Sequence, residues 1–230
     1  MKWVRIVLFL YLKKRRYNIF TNYARPARFH FYKSVVTRFS NMNLGKLTEV
    51  QTGYPFRARF EHDPNGDVTV IQMKDIDDSN LLHPEVANKV TLPKGKDHHM
   101  LRPGDLVFRS RGRSNGAALV GDGIGAAVLA APMLLIRPIA VLPAYLCWFI
   151  NAPSTQAQLA SMSAGTSVQM ISAEALKSLD VPVPSLEHQH QIVTLAALAE
   201  REQTLLSKIS QARHQLVTHI LTQYARESAP

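Results

Sequence analysis

Between Leu186 and Arg226 the chain contains neither proline nor glycine, and nothing else in the sequence restricts its fold as strongly. Steps of three and four residues pick out Ile192, Leu195, Ala199, Glu202, Leu206, Ile209, Arg213, Leu216 and Ile220. All but Glu202 and Arg213 are apolar, the pattern of a coiled-coil-like seam with two imperfections. About forty helical residues reach roughly 60 Å at ~1.5 Å per residue. A helix of that length cannot fold back over a small domain, so it needs a partner: another copy of the chain or a different subunit. Residues 185–230 are therefore expected to form one long dimerisation and docking helix. Its partner face would carry Ile192, Leu195, Leu206, Ile209, Leu216 and Ile220.

The segment before that helix has a different texture. In Val181-Pro-Val-Pro184 each proline fixes its own φ and biases its predecessor away from helix, which predicts an extended joint. Upstream, short apolar runs alternate with turns. Asp63-Pro-Asn-Gly66 leads into Val68–Met73, and Arg102-Pro-Gly-Asp105 leads into Leu106–Phe108. Gly116–Val120, Ala126–Leu129 and Met133–Ile136 read as further strands. The apolar stretch from Ala126 to Ile150 contains Pro132, Pro138, Pro143 and Arg137, which argues against a membrane helix and for buried strands followed by a helix from about Ala144. Ser154 and Ser172 stand where caps of two short helices would be, the second covering Ala173–Leu179. The expected fold is α+β: a compact domain at 42–184 with short strands in a twisted sheet and small helices, followed by the long helix.

Charge is informative only once it is located. The chain carries a net charge of +10, with 27 Lys and Arg against 17 Asp and Glu. Ten of those basic residues, and no acidic ones, lie in residues 1–41, so 42–230 balances at 17 against 17. Bulk basicity thus says nothing about the folded part, and any nucleic-acid surface must come from local clustering. The basic extension has three readings: an arm for nucleic acid, an amphipathic membrane-surface element, or translated upstream sequence ahead of a functional start at Met42. The single cysteine, Cys147, excludes a disulfide framework and a multi-cysteine zinc site within the chain, and suits a reducing, cytoplasmic setting.

Signs of catalysis are sparse. An amino-methyltransferase would show an Asn/Asp-Pro-Pro-aromatic loop and a glycine-rich cofactor turn; neither occurs, and Gly121-Asp-Gly-Ile-Gly125 reads as a turn. Gln72-Met-Lys74 faintly echoes the carboxylate-x-Lys element of a restriction nuclease but lacks the upstream Pro-Asp. The pairs His98-His99 and His188/His190 have no neighbouring cysteine and no HExxH spacing, so they read as surface residues, and no metal site is assigned. Cys147, beside Trp148, reads as a small buried hydrophobe. The expectation is a non-enzyme without a cofactor of its own.

A run of landmarks in fixed order points to a family. They are Leu44-Gly-Lys-Leu47, Gly53-Tyr-Pro-Phe56, Val70-Ile-Gln-Met-Lys-Asp-Ile76 and Leu101-Arg-Pro-Gly-Asp-Leu106, the last running into Arg109-Ser-Arg-Gly112. Ala164-Gly-Thr-Ser167 and Ile171-Ser172 follow, then Leu179-Asp-Val-Pro-Val-Pro-Ser-Leu186 with Gln189 and Ile192-Val193. Over about residues 44–215 this resembles the target-recognition domain and following helix of type I restriction-modification specificity subunits. The sequence departs from that family in having His188 where Glu is usual. It also has one recognition domain and one long helix where two of each are typical, so it looks like a half-subunit. The resemblance implies a DNA-binding protein that directs partner methyltransferase and restriction/translocase subunits to duplex DNA. It would pair with a second copy or another half-subunit, with S-adenosylmethionine, ATP and Mg belonging to those partners. Two other readings stand beside it: a helix-mediated scaffold or regulator that no longer binds DNA, supported by the balanced charge of 42–230, and the targeting module of a phage-defence methyltransferase.

Candidate DNA contacts cluster in loops. Arg109, Arg111 and Arg113 alternate, so on an extended segment they project from one face, with Gly112 allowing close approach and Ser114 and Asn115 adding polar tips. Arginine forks onto guanine O6 and N7, and asparagine does the same for adenine. The competing reading is a solvated strand edge guarded by basic residues. Arg57 and Arg59, near Tyr54, form a second patch. Lys74 is expected to pair with Asp75 or Asp77. Gln169 is a candidate because the resemblance places its region near the DNA-facing side.

Overall fold

The computed structural model of the chain describes residues 40–56, 63, 65–91, 100–112, 115–162 and 170–227, all within the compact unit Val36–Pro230. The expected extension at 1–41 thus falls almost entirely outside the described residues, as do Arg57, Arg59, His98, His99, Arg113 and Gln169.

The centre of the domain is a four-stranded antiparallel sheet in the order β2-β8-β5-β6, formed by β2 (Thr48–Thr52), β5 (Leu106–Phe108), β6 (Ala117–Leu119) and β8 (Leu134–Pro138). Alternation along these strands divides their side chains between two faces. Leu106, Phe108, Ala117, Leu134 and Ile136 join a cluster with Leu44, Leu47, Tyr145, Leu146, Ile150 and Leu159. Those partners come from α1 (Leu44–Leu47), α2 (Pro143–Asn151) and α3 (Pro153–Met162). Val107, Ala118 and Leu135 point the other way, into a cluster with Ile71, Ala127 and Leu129. These belong to a second sheet in the order β4-β3-β7, built from β3 (Val68–Ile71), β4 (Asn88–Val90) and β7 (Ala127–Leu129), with β3 parallel to β7. Because the central sheet is covered on both faces at β5, β6 and β8, these strands are nearly continuous apolar runs, whereas β2 at the edge, Thr48-Glu-Val-Gln-Thr52, is largely polar.

The α+β expectation therefore holds, with two refinements. The strands form three sheets, not one. The run beginning at Val68 is strand only to Ile71, because Asp75 (1 % exposed) accepts the Gln72 N–H at 2.8 Å and folds Met73–Asp75 into a 3₁₀ turn. Lys74 pairs with that same carboxylate at 3.0 Å. The apolar stretch through Pro132 and Pro138 ends as expected in α2, starting at Pro143, the first helical position where proline fits. Ser172 caps α4 (Ala173–Lys177) through its side chain, which accepts the Ala175 N–H at 3.1 Å.

The third sheet pairs β1 (Ser40–Asn43) with β9 (Asp180–Val183) antiparallel. The two-strand sheet tolerates Pro182, whose missing N–H would break a central strand. It delivers the chain to α5 (Leu186–Glu227), the long helix. Gln189, 3 % exposed, locks the start of that helix: its side-chain oxygen accepts the Leu142 N–H at 2.9 Å and its amide donates to the Pro184 carbonyl at 2.9 Å. Ile192 and Val193 add apolar contact with the domain core. From Ala197 to Arg226 every residue is exposed, so the helix leaves the domain and runs free of it. No helix among the described residues is long and apolar enough to cross a membrane.

One buried charge pair braces the four-stranded sheet between β8 and the turn before β5. Arg137 of β8 donates to Asp105 from Nε at 2.8 Å and from Nη2 at 2.7 Å, and reaches the Met100 carbonyl at 3.2 Å. Asp105, 2 % exposed, also accepts the Arg102 N–H at 2.8 Å. Replacing Asp105 by Ala leaves a mostly buried guanidinium without its counter-charge. The expected loss is about 3 kcal/mol of unfolding free energy, read from urea denaturation at pH 7.

Candidate nucleic-acid interface

The hairpin between β5 and β6 carries the arginine motif, and its ends are pinned by backbone and side-chain hydrogen bonds. The Arg109 N–H donates to Gly116 O at 2.9 Å, and the Asn115 amide donates to Arg109 O at 3.0 Å. Ser110 is buried: its hydroxyl donates to Pro132 O at 2.7 Å, and its carbonyl accepts the Ile171 N–H, also at 2.7 Å. Gln156 of α3 donates to Asn115 O at 3.0 Å. On the edge strand β6, Asn151 of α2 stands in for a missing neighbour, accepting the Ala117 N–H at 2.9 Å and donating to its carbonyl at 2.8 Å.

This anchoring separates residues that simple alternation would place together. The strand proper ends at Phe108, after which Arg111 forms a bridge to Met170 and Gly112 adopts φ +118°. Arg111 is exposed. Arg109 is half-buried, and its Nη2 donates to the Asn80 side-chain oxygen at 2.5 Å while its Nε is enclosed without a hydrogen-bond partner. Asn115 spends its amide on the loop itself. Tyr54 stacks edge-on against Phe56 with centroids 4.7 Å apart, at the end of β2. Arg113, Arg57, Arg59 and Gln169 belong to segments outside the described residues.

Asn80 is the residue that sequence reasoning missed. It sits at φ +59° in the turn after Asp77, where asparagine is among the few residues at ease. The signal was present in Asp77-Asp-Ser-Asn80, a turn composition whose first carboxylate caps its own backbone. Asp77 Oδ1 accepts the Ser79 N–H at 2.9 Å and the Leu81 N–H at 2.8 Å. Its other oxygen lies 3.1 Å from His83 Nε2, and Glu85 Oε1 lies 3.0 Å from His83 Nδ1.

Hydrogen bonds to Asp77 and Glu85 hold the His83 imidazole above its ordinary range near 6.5. The Leu81 N–H and then His83 hold Asp77 below the ordinary carboxylate range, and the residue's own N–H and then His83 do so for Glu85. A raised histidine pKa means that the pairing is complete below about pH 6.5 and is lost as pH rises through the raised value; the depressed carboxylates set its acid limit. The turn is therefore most tightly braced in mildly acidic solution. In an NMR titration the His83 midpoint is expected above 6.5, and Asp77→Asn is expected to move it down.

The remaining sequence candidates have structural settings. Cys147 donates from Sγ to Ala117 O at 3.4 Å, and burial pushes its thiol up to about 12, which keeps it protonated. His188 Nδ1 lies 2.6 Å from Ser185 Oγ at the start of α5. On α5, Leu195, Leu206, Ile209, Leu216 and Ile220 are each more than half exposed, whereas Ile192 packs against the domain of its own chain. Leu198, Leu205, Val217, Leu221 and Tyr224 broaden the exposed apolar stripe.

The model of the type I restriction modification DNA specificity domain matches residues 38–211. Among solved structures the chain is similar to the HsdS subunit from Thermoanaerobacter tengcongensis, with TM-score 0.55 at 17% identity over 78% of this chain and 41% of that one. It is also similar to a chain from a structural study of complex assembly and conformational transition of the type I R-M system, with TM-score 0.58 at 18% identity over 77% of this chain and 42% of the other. A comparison with curated proteins gives no match. The chain thus spans about two-fifths of the length of these solved relatives, and at such identities the likeness is one of fold. Since the family model covers most of the sequence, from the strand that opens the domain to well along the exposed helix, the chain belongs to the type I restriction modification DNA specificity domain family.

Proposed function

We propose that this chain is the DNA-reading element of a type I restriction-modification complex and directs a methyltransferase subunit, and with it a restriction/translocase subunit, to a particular duplex sequence. The observation that carries this reading is the family match across both the domain and the first half of its long helix. On this reading the recognition domain is residues 42–184 and the pairing helix 185–230. The chemistry belongs to the partners, which would hold S-adenosylmethionine, ATP and Mg.

The hairpin after β5 is the foremost candidate to meet DNA. Arg111 stands exposed there beside Gly112, where the lack of a side chain lets a phosphate or base edge come close. Arg113, Arg57, Arg59, Tyr54 and Gln169 are proposed to extend the same surface. Overall charge offers little help, since 42–230 is balanced; binding must come from this local cluster.

The exposed stripe of α5 supports pairing. Leu195, Leu206, Ile209, Leu216 and Ile220 lie on a helix that leaves its own domain, and an apolar seam at coiled-coil spacing is stable in water only when covered. A second copy or another half-subunit would supply the opposing helix and thereby a second recognition domain, as a two-part DNA site requires.

The direct test is methylome sequencing of cells with and without the protein, alongside its partner methyltransferase. Methylation of one motif should depend on it; if none does, the specificity role is wrong. Arg111→Ala with Arg113→Ala should weaken binding to duplex DNA and reduce the slope of log K against log salt by about 0.9 for each phosphate that is no longer neutralised. Fluorescence anisotropy from 50 to 200 mM salt reads both. Separately, Leu206→Ser, Ile209→Ser and Leu216→Ser together should shift the purified chain to monomer in light scattering while leaving the melting of the domain unchanged.

A further inference from the structure

Two loops from different sheets meet at one hydrogen bond, and the contact is built from both sides. Asn80 belongs to the turn beyond β3, on the three-stranded sheet; Arg109 opens the hairpin beyond β5, on the four-stranded one. The Asn80 side-chain oxygen accepts from Arg109 Nη2 at 2.5 Å. Asn80 reaches it from a left-handed backbone that Asp77 holds through the Ser79 and Leu81 N–H groups. Gly116, at the other end of the hairpin, lies against the same amide so closely that a side chain there would overlap it. The Arg109 backbone meanwhile closes the hairpin on both sides, through its N–H to Gly116 and its carbonyl to Asn115. The guanidinium is thus half-buried against Asn80, whereas Arg111 is exposed.

We infer that Asn80 and Arg109 form a positioning pair that sets the path of the 109–116 hairpin, making Asn80 a specificity-determining residue that acts without touching DNA. The inference rests on the reading of that hairpin as DNA-facing. It assigns different work to neighbouring arginines: Arg111 grips the duplex, and Arg109 holds the hairpin in register with the other sheet. A base edge is read by forked hydrogen bonds that tolerate little displacement, whereas phosphate attraction is forgiving of position. Loss of the pair should therefore erode discrimination between sequences more than affinity for DNA in general.

The test uses the full chain with its partner methyltransferase. Duplexes enriched from a random-sequence library by the unaltered complex are compared with scrambled duplexes of equal length, across a salt series. Asn80→Gly keeps the left-handed backbone at ease and removes only the amide. It should lower the enriched-to-scrambled affinity ratio about tenfold without changing the salt slope. Asn80→Asp, which retains an oxygen for Arg109, should restore most of the ratio. Arg109→Ala should lower the ratio as Asn80→Gly does, and the double variant should fall no further, as for two residues acting through one contact. An unchanged ratio in Asn80→Gly, additive losses in the double variant, or a salt slope reduced by about 0.9 in Arg109→Ala would each overturn the inference; the last would place Arg109 on a phosphate. If the unaltered complex enriches no duplex, the DNA-reading function itself fails instead. Far-UV circular dichroism and a thermal melt of each variant separate loss of folding from loss of discrimination, and Arg109→Ala, which leaves the Asn80 turn unaltered, retains the test should Asn80→Gly not fold.

Discussion

The domain depends on a central sheet in which β5, β6 and β8 are buried on both faces. Helices cover one side of the sheet and the three-stranded sheet covers the other, so β5, β6 and β8, only three to five residues long, are apolar at nearly every position. Burying both faces of so short a sheet yields a core from little chain. It also leaves no room in the strands for polar groups with outside duties. Such groups are displaced to the loops, where Asn80, Arg109, Arg111 and Asn115 are found.

Where polar groups do enter the interior, each is matched. Asp105 takes two hydrogen bonds from Arg137 and one from a backbone N–H. Asn151 completes the edge of β6, and Gln189 satisfies a helix-start N–H and a strand-end carbonyl at once. These contacts join segments far apart in sequence and impose direction, which apolar packing alone does not. The buried Nε of Arg109 is the exception among the described residues.

Legibility in the sequence followed the range of the interactions involved. The long helix, the proline-stiffened joint, the start of α2 and the Ser172 cap are written in local spacing and local hydrogen bonds, and each was readable. The family was readable too, because its landmarks are themselves local motifs in order. The division into three sheets was not, since pairing β3 with β7 or β1 with β9 depends on contacts between segments far apart in the chain. The settings of the loop arginines were not legible either, for the same reason. Alternation alone gives Arg109 and Arg111 equal settings, whereas here Arg109 is half-buried against Asn80 and Arg111 is exposed. Asn80 had a recognisable turn signature, but its partner lies 29 residues away. Ile192 continued the apolar spacing of the seam, yet the first turns of the helix are taken by the domain itself.

The Gln189 lock has a consequence that depends on the length of the helix it holds. Forty-two residues of helix extend roughly 63 Å at ~1.5 Å per residue, so a tilt of one degree at the base moves the far end by about 1 Å. The helix acts as a lever arm with its bearing at Leu142, Pro184 and Gln189. Angular play in that bearing, more than flexing along the shaft, would set how accurately anything mounted at the distal end is aimed.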